Sequence, residues 1–201
     1  MLKMTIKRGG IFLSLVFLVS LTECVGGIKQ PEEQAVKGMR TDIFSEVKGK
    51  QPPPPGKVDL TIKASVKAPT HKEFLFESTT PPPTEGGYPF ELNIDGQEMV
   101  WKVEGNLEKT PISNERGRTP EGGEGFRYIL DKKIRLAPGA HHVVFGVPSD
   151  DYYTEIKVFL KEGESHILEF QPIYSRDERG YQTFYRGITR TRVFLDGVRV
   201  K

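Results

Sequence analysis

The chain has 201 residues, with 36% apolar side chains, 10% aromatics and a mean hydropathy of −0.43, which excludes a multispan membrane protein and a disordered polymer. Its formal charge is only +2 with both signs interspersed, so bulk electrostatics point to no nucleic-acid partner. Twenty-one glycines and 15 prolines, about 18% of the chain against about 12% on average, imply many turns and a spacer.

The first 27 residues read as a targeting segment. Lys3, Lys7 and Arg8 precede an apolar run from Ile11 to Leu21, broken only by Ser14 and Ser20. That is the length of a signal-peptide core and too short to span a bilayer of about 30 Å. Cys24, the sole cysteine, follows the run in Leu21-Thr22-Glu23-Cys24. The placement resembles the lipobox of bacterial lipoproteins, in which that cysteine is acylated and anchors the chain. Glu23 departs from the pattern, where a small residue is usual, and the competing expectation is ordinary cleavage after Gly26 with Cys24 discarded. The resemblance implies export and a membrane-anchored lipoprotein facing the periplasm or cell surface. Residues 28–56 then read as a linker, polar and ending in Pro52-Pro53-Pro54-Pro55-Gly56, which favours extended polyproline II.

From Lys57 to Lys201 the period is that of strands. Val58, Leu60 and Ile62 alternate with Asp59, Thr61 and Lys63, and Phe74 and Phe76 mark a short strand before the Pro81-Pro82-Pro83 loop. Tyr88–Ile94 and Gln97–Val103 flank Asp95-Gly96, whose composition suits a type I′ hairpin turn, with Trp101 expected in the core. Residues 104–125 break the pattern with five glycines and two prolines, so a long loop is expected, either disordered or facing a partner. It lacks the strand, helix N-terminus and Lys-Ser/Thr pair of a phosphate cradle.

Strand character returns at Phe126–Leu136. Ile134 to Gln171 then holds three alternating runs cut by Pro138-Gly139 and Lys161-Glu162-Gly163-Glu164, which predicts three antiparallel strands in a row. Beyond Pro172 come Tyr181–Tyr185, Ile188–Leu195 and a last turn at Asp196-Gly197. This tail sets seven cations, among them Arg186, Arg190 and Arg192, against three acids. It reads as a solvated strand face or as a patch for an anionic polymer or headgroup.

Phe90 to Glu164 resembles a stretched PEGA-type domain, a small Ig-like β-sandwich of bacterial envelope proteins. The resemblance rests on Ile94-Asp95-Gly96, Thr110-Pro111, Leu136-Ala137-Pro138-Gly139-Ala140-His141-His142-Val143, Asp151-Tyr152 and Val158-Phe159-Leu160-Lys161-Glu162-Gly163. The Pro-Glu-Gly-Ala that names the family is absent, and insertions separate Gly96, Thr110-Pro111 and Leu136. What the resemblance implies is a non-catalytic module for envelope attachment or protein contacts.

Catalytic and metal motifs are weak. His141 and His142 are strand neighbours on opposite faces; His142 and His166 on adjacent strands would make a metal pair without further ligands of known spacing, so surface or rim positions are expected for the histidines. Asp150-Asp151 suits a turn, with calcium as the competing expectation. No Gly-x-Ser-x-Gly elbow occurs. The expectation is therefore an all-β antiparallel Ig-like β-sandwich, preceded by a signal peptide and a proline-rich tether. It is expected to need no cofactor or metal, to touch the membrane through a lipid on Cys24, and to bind envelope proteins or cell-wall polymer. The candidate surface is Tyr153, Tyr181, Tyr185, Arg186, Arg190 and Arg192. The alternative is a carbohydrate- or peptidoglycan-binding module that uses its exposed aromatics and basic tail.

Overall fold

Asp95 and Gly96 adopt φ of 50° and 92°, the left-handed pair that a two-residue hairpin requires, and the strands on either side zip from Tyr88↔Val103 to Ile94↔Gln97. A computed structural model describes residues 40–49, 51–70, 87–115 and 117–201. In chain order the strands are β1 (Phe44–Glu46), β2 (Val58–Pro69), β3 (Tyr88–Ile94), β4 (Gln97–Val103), β5 (Gly105–Thr110), β6 (Ser113–Asn114), β7 (Gly117–Arg118), β8 (Gly123–Leu136), β9 (Gly139–Val147), β10 (Tyr152–Leu160), β11 (Ser165–Tyr174), β12 (Ile188–Leu195) and β13 (Val198–Arg199). Among the described residues the only helical turns are 3-10, at Pro148–Asp150 and Phe184–Arg186. No described helix is long and apolar enough to cross a membrane.

The fold is all-β. A large sheet runs β1-β8-β2-β11-β12-β13 with β5 also on β8, a smaller one runs β10-β9-β3-β4, and β6 and β7 form a separate ribbon. Pairing is antiparallel except between β2 and β11, which run parallel. The inner faces meet through aromatic rings: Phe145 of the small sheet stacks on Phe170 of the large one at 4.0 Å between centroids, and Tyr88 on Tyr128 at 4.4 Å. Offset stacks of this kind add to the burial of large side chains. Along β9, β10 and β11 the expected alternation holds, with Val143, Phe145, Ile156, Val158, Leu160, Leu168 and Phe170 all buried.

The three strands do not form a meander. Only β9 and β10 pair; the Pro138-Gly139 turn carries the chain from the large sheet to the small one, and residues 161–164 carry it back. Alternation specifies which side of a strand is apolar, and both sheets of a sandwich bury a face, so the pattern is silent on which sheet a strand joins.

The linker expectation for 28–56 is corrected at its C-terminal part. Phe44–Glu46 pairs with Ile134–Leu136 and covers that half of the β8 edge, while Phe44 enters the core. Gln97 holds β1 as a backbone would: its Oε1 accepts from Ile43 and Phe44 N–H at 2.8 and 3.0 Å, and its Nε2 donates to Phe44 O at 2.8 Å. Trp101 is buried as expected, and its Nε1 donates to Glu46 of β1. Further on, Arg135 donates to Gln51 O and Gly56 N–H donates to Glu162, so residues 52–55 lie between two attachments to the domain. The segment around Phe74 and Phe76, the Pro81-Pro82-Pro83 loop, His71, the apolar run from Ile11 to Leu21 and Cys24 lie outside the described residues.

Candidate functional site

The sandwich has two chemically distinct ends. At one end sit residues 40–43, where the described chain begins, and the turns at 95–96, 137–139, 161–164 and 196–197. At the other sit Pro69, Tyr88, Val103, Gly123 and the 3-10 turn at Pro148–Asp150, as the strand registers dictate. The two stretches that break the strand pattern, 104–125 and 175–187, both belong to this second end and pack on each other.

The first is not a loop. β5 continues β4 but changes sheet, pairing Gly105↔Tyr128 through Thr110↔Gly123 with β8. Beyond it the β6/β7 ribbon folds back, closed by Thr119 N–H to Ile112 O and Gly122 N–H to Thr119 O. Its glycines serve close approach rather than mobility. A Cβ on Gly122 would fall 2.5 Å from the Ile112 backbone, and Gly123, at φ of 121°, leaves room for the Tyr185 hydroxyl.

The second stretch leaves β11 after Tyr174. Asp177 accepts from Arg179 and Tyr181 N–H, and Thr183 caps the 3-10 turn at Phe184–Arg186. Phe184 N–H donates to Pro120 O and the Tyr185 hydroxyl to Glu124 O, which ties the two insertions together.

Beneath them lies a buried charge network. Lys67 points from the outer face of the large sheet, yet its side chain has 0% exposure because the insertions cover it. Its Nζ donates to Thr110 Oγ1 at 2.8 Å, Glu121 O at 3.0 Å and Gly123 O at 2.8 Å, using all three ammonium protons, and stands 5.0 Å from the Phe184 ring centre. Thr110 passes its own proton to Glu108 at 2.6 Å. Arg127 grips Glu108 and Glu121 through paired hydrogen bonds of 2.6 to 3.1 Å. Tyr174 accepts from Lys67 N–H and donates to Glu121.

The electrostatics follow from these partners. Hydrogen bonds from Arg127, then Thr110, pull Glu108 from 4.5 to about 2. Burial lowers the Lys67 ammonium, with Glu108 opposing. Burial, then Glu121, raises the Tyr174 phenol, and the bonds to Glu121 and Glu108 raise Arg127. With every ammonium proton engaged, Lys67 is a clamp and not a nucleophile.

What the clamp presents outward is Tyr181 and Tyr185, 49% and 52% exposed, Ile112, 59% exposed, and Arg118, whose guanidinium lies 5.0 Å from the Tyr181 ring centre. Arg186 is beside them, paired with Glu178 at 3.3 Å. Arg190 and Arg192 continue along β12 on the outer face of the large sheet, opposite Ile173 and Gln171. Tyr153 does not join this group. It lies on the outer face of the small sheet, its ring where a side chain at Gly146 would be and its hydroxyl donating to Glu91. Burial first, and that bond next, push its phenol up to about 12.

Against the expectation of surface or rim positions, His141 and His166 are buried. His141 Nδ1 lies 2.7 Å from Asp95 Oδ2 and its Nε2 lies 3.0 Å from Ala137 O, while Asp95 Oδ1 accepts from His142 N–H. His166 repeats the arrangement: Nδ1 lies 2.7 Å from Asp196 Oδ2, Asp196 Oδ1 accepts from Ile167 N–H, and Lys161 N–H donates to Nε2. Both aspartates sit in Asp-Gly turns at φ near 50°. Burial works to raise both, but the hydrogen bonds outweigh it and leave both lowered. His142, exposed and paired with Glu155, belongs to the small sheet and His166 to the large one, so the adjacent-strand metal pair does not exist. The signal that could have found these clasps is Asp-Gly on one strand and Gly-x-His or Gly-x-x-His opening another, and it stands in the sequence twice. Asp151 closes the 3-10 turn in left-handed conformation, a turn role.

Comparison with family models, curated proteins and solved structures finds no match to the chain.

Proposed function

We propose that the chain is a non-catalytic, lipid-tethered β-sandwich of the cell envelope that binds a protein partner through the end built by residues 105–124 and 175–187. The observation that carries this reading is the convergence of two insertions on Lys67, which fixes Ile112, Arg118, Tyr181 and Tyr185 in one exposed cluster. Tyrosine and arginine on rigid supports are the composition of interface hot spots. The tether is supported by the basic start, the Ile11–Leu21 run and Cys24, and by entry of the described chain at the end opposite the cluster. A PEGA-like module is supported by the clasp at Asp95, which joins Asp-Gly to the Leu-x-Pro-Gly-x-His stretch by direct hydrogen bonds. The polymer-binding alternative is favoured by Arg190 and Arg192 and weakened by the aromatics, since Tyr153 is on the other sheet and Arg118 already occupies a face of Tyr181.

The test is purification of the full chain from membranes in its native state, with and without Tyr181→Ser and Tyr185→Ser together. Loss of the co-purifying protein at unchanged melting temperature supports the reading; full retention rejects it. Cys24→Ala should release the chain from membranes, and continued anchoring would reject the lipid tether.

A further inference from the structure

We propose that β12, with Arg199 of the neighbouring β13, carries a second site, a linear track for a polymer of repeating phosphate groups, formed by Arg190, Arg192 and Arg199. This deepens the polymer side of the proposed function and leaves the protein-binding cluster a separate surface.

Arg190 and Arg192 alternate with Thr191 and Val193, which are buried, so both side chains leave the outer face from Cα positions about 7 Å apart along the strand. Thr191 Oγ1 lies 3.0 Å from the Tyr152 hydroxyl across the closed side of the sandwich, which fixes the strand and hence the direction of both arginines. Arg199 lies opposite Phe194, one strand further on. Among the described residues neither Arg190 nor Arg192 has an ion-pair or hydrogen-bond partner. The nearest acid by register, Glu169, accepts from Gln171. Two unneutralised cations on one rigid face repel each other and are relieved by an anion that bridges them.

The cations are all arginine, and the planar guanidinium fork matches two oxygens of one phosphate. Their arrangement in a line, not around a pocket, fits a chain of repeating charges and not a single small anion. The aromatic on this face, Phe194, lies opposite Arg199 and is half-buried, so the guanidinium groups are what β12 exposes most.

The experiment measures binding of the full chain to long-chain inorganic polyphosphate, with polygalacturonate and uncharged dextran as comparators. Polyphosphate is expected to bind with log K falling as log[salt] rises. Arg190→Gln with Arg192→Gln should weaken it at least 10-fold and reduce the slope by about 1.4 to 1.8, since each phosphate that an arginine neutralises adds about 0.7 to 0.9 to it. The Tyr181→Ser, Tyr185→Ser chain should bind polyphosphate unchanged, which separates failure of this site from failure of the protein-binding cluster. Equal binding by the arginine variant, a salt-independent affinity, or equal affinity for polygalacturonate or dextran would each overturn the proposal.

Discussion

Lys67→Met isolates the charge that holds the insertions, because methionine keeps most of the stem beneath Phe184 and removes only the ammonium. The substitution deletes three hydrogen bonds from a charged donor, each about 1.5 to 3 kcal/mol when made. Against them stands the dehydration of a fully buried ammonium, several kcal/mol, which the substitution relieves. Thr110 Oγ1 and two carbonyls are then left facing an apolar stem, about 1 to 3 kcal/mol for each acceptor left unpaired, so with the relieved dehydration set against them the net cost should be about 2 to 3 kcal/mol. Trp101 is the only tryptophan and is buried in the core from β4, so its fluorescence in urea follows the sandwich. Amide exchange at 105–110 follows β5. The expected result is a large loss of protection at 105–110, with a smaller shift in the Trp101 transition if β5 detaches before the sandwich unfolds. A shift below about 0.5 kcal/mol with β5 amides still protected would refute the argument, showing that backbone pairing with β8 suffices.

Gln97→Ala removes the three side-chain bonds from Gln97 to the start of β1 and should cost about 2 to 3 kcal/mol, with new protease cleavage between 40 and 56; unchanged protease resistance would deny the clamp. Glu108 is depressed to about 2, so its contribution is complete above pH 4.5 and is lost as pH falls from there towards 2. Glu108→Gln should flatten that acid limb of the urea midpoint, and an identical limb would reject its coupling to Arg127. Tyr174 and Tyr88 are raised, both mainly by burial, so above about pH 10 the unfolded chain gives up these phenol protons while the folded chain keeps them, and stability falls as pH climbs. Tyr174→Phe should reduce the alkaline loss, measured by circular dichroism from pH 9 to 12.

The sheet faces were legible because alternation is a local property. Val143, Phe145 and Val147 announce an inward face whichever strand lies beside them, and Asp95-Gly96 and Asp196-Gly197 announce turns by backbone chemistry alone. Partnership was not legible, since the choice between β10 and β2 for β11 is decided by packing of Phe170 on Phe145 across the sandwich. The stretch 104–125 misled because glycine serves both loose loops and tight approaches; Gly105, which leaves room for the Tyr128 ring, and Gly122 are of the second kind. Residues 43–56 misled because a three-residue edge strand is too short to show a period, and it is held by the side chain of Gln97 as well as by backbone pairing. The candidate surface was half legible. Tyr181, Tyr185 and Arg186 could be named from composition, but nothing in the chain order joins them to Ile112 and Arg118.

The division of labour between the two ends has a mechanical reading. β2 and β8 run without interruption from one end to the other, 12 and 14 residues long, which at about 3.3 Å per residue spans on the order of 40 Å. Two Asp–His clasps, the Gln97 clamp and the hydrogen bonds at Gln51 and Gly56 reinforce the end at which the described chain begins. The Lys67 network reinforces the other. Paired strands, crossed by stacked rings in the middle, therefore connect the end at Arg40 with the end that carries Tyr181 and Tyr185. The charge network fits the same account: a purely apolar seat would hold the insertions but would not fix their register. Lys67, Arg127 and Tyr174 bind particular oxygens of Thr110, Glu121 and Gly123, and so determine which residues the insertions turn outward.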